Sequence, residues 1–494
     1  MQIKMDLFEQ KSMDKVGIIY GDVGTTQVQF TVVSSIDQGE YVQIKHQTVG
    51  WVLGRIDTIE RKTDLSSVRA LEMNNGEKVP IQETIVGTIT IIGYRDDAGV
   101  LQYPKTPFFA GAEIYKAQDS VIKKVIGIDA IKKTGAFIGK LYNHDIPIYL
   151  DINSLIQKHV SILSKTGGGK SYLTGVILEE LLKHNVTAVV IDPHGEYSSI
   201  KSPSKNSEQL KKYDLDPKGF DSDLLVFSPD TTVNKDSKPL KFTLFQMTSR
   251  ELLTLMNLAD YRPYLVPLRK AIDRLKLSKV EYGVEDIIRV LEEEEESATV
   301  NVLVNALTYL NEIGIFEKKG TKIDEIVQKG KLSIINLRGV PPDIQELVTQ
   351  RLSFALFELR KRDKIPPLML VVEECHNFVP QQGKALSSKI LRTIASEGRK
   401  FGLGLCLISQ RPAKVDKNVL SQCNTQIILK VTNPNDLKAI GSSVEGLTRG
   451  SLEEIQRLPV GVALVMGGNL NMPLFVEIRP RQSKHGGESV NIVG

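Results

Sequence analysis

A glycine-rich stretch, SKTGGGKS at residues 164–171, has the residue types and spacing of a loop that binds the phosphates of a nucleotide. Glycines let the backbone wrap closely around anionic oxygens, so the N–H groups of the loop point inward. We expect Lys170 to reach the β- and γ-phosphates and the Ser171 hydroxyl to complete the coordination of Mg²⁺. The predicted nucleotide-binding residues here are Ser164, Lys165, Thr166, Gly167, Gly168, Gly169, Lys170, Ser171 and Tyr172.

The context of this loop separates it from a chance glycine-rich turn. An apolar strand, HVSIL, precedes it, and residues 171–184 show the apolar spacing of an amphipathic helix that would add its dipole to the site. The loop departs from the phosphate-loop pattern at one place, because Ser164 stands where the pattern has glycine. A small residue at that place is compatible with the same turn.

Adjacent carboxylates, Glu373 and Glu374, close the apolar strand LMLVV. This placement is typical of the second half of a nucleotide-hydrolysing site, so we predict that Glu373 holds Mg²⁺ and that Glu374 polarises the lytic water. The alternative is an exposed acidic pair. Asp192 also lies at a strand end, in DPHGEY, and is predicted to assist the metal or the water in the same crevice.

Three further polar residues are candidates for sensing or stabilising the γ-phosphate. Gln410 closes the strand GLGLCLIS, and Arg411 follows it directly. Arg399, in SEGRKFG, is predicted to act as an arginine finger that a neighbouring subunit supplies to the site. A local salt bridge is the alternative role for Arg399, and the role of Arg411 stays open between the two.

The elements that must position these residues divide the chain into regions that differ in their pattern of apolar residues. Short strand-like runs with period-2 alternation predict a small β-barrel at the N-terminus. Long apolar strands that alternate with amphipathic helices then predict an α/β core with a mostly parallel sheet, interrupted by a helical insertion. The predicted regions are an N-terminal tail (1–14), the barrel (15–150), the core (151–240 and 331–480), the insertion (241–330) and a C-terminal tail (481–494).

Composition is that of an ordinary globular chain. Across 494 residues, 63 Lys and Arg stand against 59 Asp and Glu, a formal net charge of +4. Three cysteines are too few for a disulfide framework, and we expect a cytoplasmic protein. Residues 458–476 carry no charge, yet Pro, Gly and Asn interrupt them, so they predict two buried strands and no membrane span.

Taken together, TGGGKS, DPHGEY, VVEECHNF, SEGRKFG, LISQRP and the TNPNDLKAI segment resemble HerA, the archaeal DNA translocases of the FtsK-HerA superfamily. The resemblance covers nearly the whole chain, including the order of barrel, RecA-like core and helical insertion. It implies a homo-hexameric ring with ATP sites between subunits, double-stranded DNA in the pore and a NurA-type nuclease docked on the barrel side. A glutamate at position 373 in place of aspartate is familiar within this branch.

A basic segment, residues 381–400, is the candidate DNA track. It contains Lys384, Lys389, Arg392, Arg399 and Lys400 against one acid, Glu397. We predict that Lys384, Lys389 and Arg392 contact DNA phosphates without reading bases. The alternative is a solvated basic helix. Glu292–Glu296, a run of five glutamates, is interpreted as a solvated helix face or loop.

The leading functional hypothesis is an ATPase that drives translocation along DNA and acts with a nuclease in end resection and recombinational repair. Two alternatives remain: a nucleotide-switched scaffold that assembles an effector such as a defence nuclease, and a conjugation-type coupling ATPase. Coupling ATPases are normally anchored in a membrane, which counts against the second. Hydrolysis that rises with long DNA would separate a motor from a scaffold.

Overall fold

A closed β-barrel leads into an α/β core in the computed structural model. The structure describes residues 14–76, 78–127, 132–245, 247–256, 258, 262–278, 281–293, 297–444, 447 and 449–486. The predicted fold class, a barrel followed by a RecA-like core with a helical insertion, is confirmed.

The barrel is an antiparallel ring in the order β2-β1-β7-β3-β4-β5, which the pairing of β5 with β2 closes. Alternate side chains such as Val28 and Phe30 fill its interior, as the period-2 pattern predicts. Closure leaves no exposed edge. The elements of this region are β1 (Lys15–Tyr20), β2 (Gln27–Val32), β3 (Tyr41–His46), β4 (Gly50–Thr63), α1 (Ser67–Asn74), β5 (Glu83–Arg95), β6 (Leu101–Gln102), β7 (Glu113–Lys116) and α2 (Asp119–Ile126).

The predicted barrel boundary at residue 150 differs from the structure. Two strands inside that range, β8 (Gly135–Leu141) and β9 (Pro147–Asp151), pair with the core sheet, where β8 lies antiparallel to the strand that contains Val476. Their short apolar runs fit either sheet, so the sequence pattern alone could not assign them.

The described part of the core sheet has the order β13-β12-β14-β11-β15-β16-β10-β17-β18-β19-β8-β9. Its strands from β12 to β17 are parallel, and the strands beyond β17 are antiparallel. All of these parallel strands except β12 are buried on both faces, as their continuous apolar runs predict. The carboxyl ends of β10, β11, β15 and β16 therefore meet at one edge. The remaining strands are β10 (Val160–Leu163), β11 (Thr187–Asp192), β12 (Leu224–Ser228), β13 (Lys238–Pro239), β14 (Leu332–Asn336), β15 (Leu368–Val372), β16 (Leu403–Ser409), β17 (Thr425–Ile428), β18 (Val462–Gly467) and β19 (Leu470–Ile478).

Helices cover the sheet and build the insertion. The core helices are α3 (Ile152–Gln157), α4 (Lys170–Lys183), α5 (Ser207–Lys211), α11 (Pro342–Lys361), α12 (Ser388–Glu397), α13 (Lys417–Leu420), α14 (Pro434–Ser443) and α15 (Arg449–Arg457). The insertion contains α6 (Ser249–Leu255), α7 (Arg262–Leu277), α8 (Val284–Glu292), α9 (Ala298–Glu312) and α10 (Ile323–Ile326). Of the five-glutamate run, residues 294–296 lie outside the described residues.

The segment after β19 does not begin a free tail at residue 481. Arg481, Gln482 and Ser483 are buried, and they pack along α4. A buried carboxylate, Glu179, attracts them there, which no local pattern in the segment itself reveals.

Candidate nucleotide-binding site

The glycine-rich loop joins β10 to α4 at the carboxyl edge of the sheet. Gly167 and Gly169 have φ of +72° and +96°, the left-handed conformation that favours glycine. Gly168 has no room for a Cβ, which would overlap the Ser164 hydroxyl. Ser164 is buried and its hydroxyl donates to the Lys165 carbonyl at 2.9 Å, so the serine that departs from the pattern stabilises the turn.

The structure brings Lys170 and Glu374 together. Lys170 Nζ lies 3.6 Å from Glu374 Oε1, and both side chains are buried. Glu374 has φ of +49°, an uncommon conformation for a non-glycine residue, at the turn where β15 ends. His376 Nδ1 lies 3.2 Å from Glu374 Oε2 and 3.1 Å from Ser409 Oγ, but Glu374 Oε2 has no hydrogen-bond partner among the described residues.

Glu373 points into the same buried region. The Tyr197 hydroxyl donates to Glu373 Oε2 at 2.5 Å. Burial raises the pKa of Glu373 to about 8, although the Tyr197 hydrogen bond and the positive charge of Lys170 oppose the shift. Sequence reasoning did not single out Tyr197; an aromatic side chain just beyond a polar strand end was the available signal.

Asp192 lies nearby, but its oxygens are occupied by backbone amides. Its Oδ1 accepts from Gly195 N at 2.8 Å and its Oδ2 from Tyr197 N at 3.1 Å. Burial raises the pKa of Asp192 to about 6, opposed by those same hydrogen bonds. The structure therefore gives Asp192 a role in holding the 192–197 loop and Tyr197, where we expected direct assistance to metal or water.

Gln410 reaches the phosphate loop from the neighbouring strand. The Thr166 hydroxyl donates to Gln410 Oε1 at 2.5 Å. Arg411 is exposed at the same edge, and its backbone N–H donates to Ser409 Oγ at 2.9 Å. These two residues line a pocket at the carboxyl edge of the sheet. Its lining includes His376, Asn377, Gln381, Gln410, Arg411 and Lys414.

Arg399 lies at the opposite edge of the sheet. It precedes β16, whereas the phosphate loop follows β10, and the two strands are parallel neighbours. At about 3.3 Å per residue, the length of β16 puts Arg399 roughly 20 Å from the loop. That distance keeps Arg399, which is exposed, away from the site of its own chain.

The basic segment contains three different environments. Lys384 is exposed in the loop before α12, and Lys389 is exposed on α12 itself. Arg392, in contrast, pairs with buried Asp416, its Nη2 lying 2.7 Å and its Nε 2.8 Å from Oδ2. The structure thus leaves Lys384 and Lys389 available, while Arg392 already has an acidic partner within the chain.

Ser171 and Glu373 supply oxygen atoms at the phosphate loop. Mg²⁺ is commonly bound by one or two protein oxygens together with substrate phosphates and water, so this donor set fits it. Within the described residues, no cluster of three or more His, Cys, Asp or Glu side chains could hold a metal without such help.

Two family models and several known proteins are similar to this chain. The family model of the central domain of helicase HerA matches residues 136–356, and that of the HAS barrel domain matches residues 16–97. A Methanocaldococcus jannaschii protein named probable DNA double-strand break repair helicase HerA is 28% identical, covering 96% of this chain and 97% of that protein. The Pyrococcus furiosus DNA double-strand break repair helicase HerA is 27% identical, covering 97% and 96%.

A solved structure supports the fold. VirB4 of Thermoanaerobacter pseudethanolicus is similar with a TM-score of 0.50 and 17% identity, covering 70% of this chain and 96% of that one. No helix among the described residues is both long and apolar enough to cross a membrane.

Proposed function

We infer that this chain, which is similar to HerA helicases over nearly its whole length, is an ATP-driven motor that moves along double-stranded DNA. The observation that carries this inference is the meeting of Lys170, Glu374 and Gln410 at the phosphate loop. Loop N–H groups would hold the phosphates, and Lys170 would leave Glu374 for the β- and γ-phosphates. Glu374, which lies next to His376, would then be free to orient the attacking water.

Mg²⁺ is the metal that this site fits. When bound, it supplies charge neutralisation on the β- and γ-phosphate oxygens. We propose that the Ser171 hydroxyl and the Glu373 carboxylate hold it. Tyr197 would orient that carboxylate, because its hydroxyl donates to one of the two oxygens and leaves the other available.

The position of Arg399 at the opposite edge supports a ring of subunits, in which this finger would complete the site of a neighbour. We propose a homo-hexamer, as the family resemblance implies. Arg399→Ala and Lys170→Ala subunits should each be inactive alone. Mixed rings contain some interfaces with an intact loop and an intact finger, and should recover part of the hydrolysis. If subunits are shown to exchange and the mixed rings still recover no hydrolysis, Arg399 does not act on a neighbouring subunit.

The proposed track is double-stranded DNA in the pore, bound through its phosphates by exposed cations of the basic segment. The names of the relatives, which refer to double-strand break repair, support a role in DNA end resection with a NurA-type nuclease on the barrel side. We propose a cytoplasmic location, in keeping with the three buried free cysteines Cys375, Cys406 and Cys423.

ATP hydrolysis, measured with and without long linear duplex DNA, tests this function. A motor should hydrolyse ATP faster with duplex DNA, and Lys170→Ala should abolish hydrolysis under both conditions. Particle mass measured on the same sample should correspond to six chains. ATP binding with negligible hydrolysis in both conditions would instead identify a nucleotide-switched scaffold and refute the motor.

A further inference from the structure

A short segment beyond β19 crosses the outside of α4 close to the phosphate loop. We refer to residues 481–486 as the C-terminal strap. Its backbone bonds to both sides of the site: Arg481 N donates to the Tyr172 hydroxyl at 2.9 Å, and the Ser199 hydroxyl donates to Lys484 O at 2.9 Å. The strap thus bridges the start of α4 and the loop that follows β11.

Buried ion pairs fix the base of the strap to α4. Arg479 is fully buried and lies 2.9 Å from a Glu179 oxygen and 2.8 Å from a Glu180 oxygen. Glu179 also accepts from the backbone N–H groups of Gln482 and Ser483, at 3.1 and 2.8 Å. Paired and hydrogen-bonded in this way, the buried charges hold the strap in one position.

Arg481 orients the end of the strap. It is 1% exposed and lies against Gly175, where a Cβ would overlap its guanidinium group. Its Nη2 donates to Ser483 Oγ at 2.9 Å, and its Nη1 lies 3.2 Å from His485 Nδ1. Its Nε has no hydrogen-bond partner among the described residues, although the side chain is buried. Arg481 therefore acts on His485 as a positioning residue.

Tyr172 and His485 meet where a nucleotide would leave the phosphate loop. Because the loop backbone cradles the α- and β-phosphates and Lys170 reaches the γ-phosphate, the α-phosphate end points away from Lys170 and Glu374. Tyr172 directly follows the loop, and its ring centroid lies 5.4 Å from that of His485 at an interplanar angle of 67°. Both residues are half-buried.

We propose that the C-terminal strap forms the base side of the nucleotide site, with the His485 ring packed against the nucleobase of a nucleoside triphosphate. This proposal rests on the proposed function, since it needs the triphosphate in the loop. The ring would bind the base and not the phosphates. Its contribution should therefore vanish for a ligand that has phosphates alone.

Affinities of the full-length protein for Mg·ATP and for Mg·tripolyphosphate, measured by titration calorimetry, test this. His485→Ala should weaken ATP binding by about 10-fold, the effect of losing one base–aromatic stack, and leave tripolyphosphate binding unchanged. His485→Phe keeps the ring and should bind ATP within about 2-fold of wild type, since stacking needs only the ring. His184→Ala is the matched control, because His184 follows the other end of α4, roughly 18 Å from Tyr172 at 1.5 Å per residue.

Equal loss of both ligands in His485→Ala would overturn the proposal, because the strap would then only support the loop. Unchanged ATP binding in His485→Ala, or a loss in His485→Phe as large as in His485→Ala, would also overturn it. A wild-type protein that binds neither ligand would instead disprove the nucleotide site itself. The two failures are therefore distinguishable.

Discussion

Replacing Glu374 by glutamine should tighten ATP binding while it stops hydrolysis. Lys170 Nζ lies 3.6 Å from Glu374 Oε1 in a buried setting, so ATP must compete with this carboxylate for the lysine. At an effective dielectric constant of 20, opposite unit charges at that distance attract by about 4.6 kcal/mol. Glutamine keeps the shape of the side chain and removes this competitor.

Only part of that attraction should appear as affinity, because the variant also leaves the buried lysine without its partner when the site is empty. We expect a gain of roughly 1–2 kcal/mol, or about 5- to 30-fold in the dissociation constant. Loss of the group that polarises water should slow hydrolysis by about 10²- to 10⁴-fold. Equilibrium binding of ATP and single-turnover hydrolysis measure the two effects separately.

Glu373→Gln is the matched comparison at the neighbouring carboxylate. It removes the proposed metal ligand without releasing Lys170 from Glu374, so hydrolysis should fall with no gain in ATP affinity. An active Glu374→Gln enzyme beside an inactive Glu373→Gln enzyme would mean that the two roles are reversed. If Glu374→Gln loses hydrolysis but its affinity for ATP is unchanged or reduced, ATP and Glu374 do not compete for Lys170.

Three further predictions concern the track and the stability of the core. The double variant Lys384→Ala/Lys389→Ala should reduce the slope of DNA affinity against salt concentration by roughly one unit per lost contact. It should also abolish the stimulation of ATP hydrolysis by DNA. An unchanged slope together with full stimulation would place the pore elsewhere. Burial lowers the pKa of His159 from 6.5 to about 4, so the fold loses stability as pH falls from 6.5 towards 4. The full effect on the free energy of unfolding is about 3 kcal/mol. The urea midpoint of His159→Asn should therefore fall less than that of the wild type over this pH range. Equal falls in the two proteins would contradict the prediction. Arg479→Met should destabilise the core by about 3–5 kcal/mol, because two buried carboxylates lose their partner. The control variant Arg61→Met, which breaks an exposed ion pair, should cost at most about 1 kcal/mol. Equal urea midpoints for these two variants would contradict the prediction.

The residues of the phosphate loop and of the strand ends could be read from the sequence because their geometry is local. Gly167, Gly169 and Lys170 lie in one short turn between a strand and a helix, so the chain itself fixes their spacing. The same holds for Glu373 and Glu374, which follow a buried strand directly. The parallel sheet and the helical insertion were likewise predictable from long apolar runs and helical periodicity.

Contacts between distant parts of the chain were decided by the tertiary structure. The hydrogen bonds from Tyr197 to Glu373 and from Thr166 to Gln410 join residues 176 and 244 positions apart. Likewise, Arg392 looked like a free cation until folding placed it beside Asp416. No local pattern specifies which partner such a side chain meets.

The tertiary structure also decided where strand β8 pairs and where the C-terminal strap packs. β8 lies within the range predicted for the barrel, yet it pairs with β19, because a short apolar strand can bury its side chains against either sheet. The residues from 481 read as a tail until the carboxylate of Glu179, some 300 positions earlier, is placed beneath them. The sequence by itself determined the chemistry of the loop and the type of its neighbouring elements. Packing of the whole chain decided which side chains share the site, since burial rewards any arrangement that satisfies distant polar groups together.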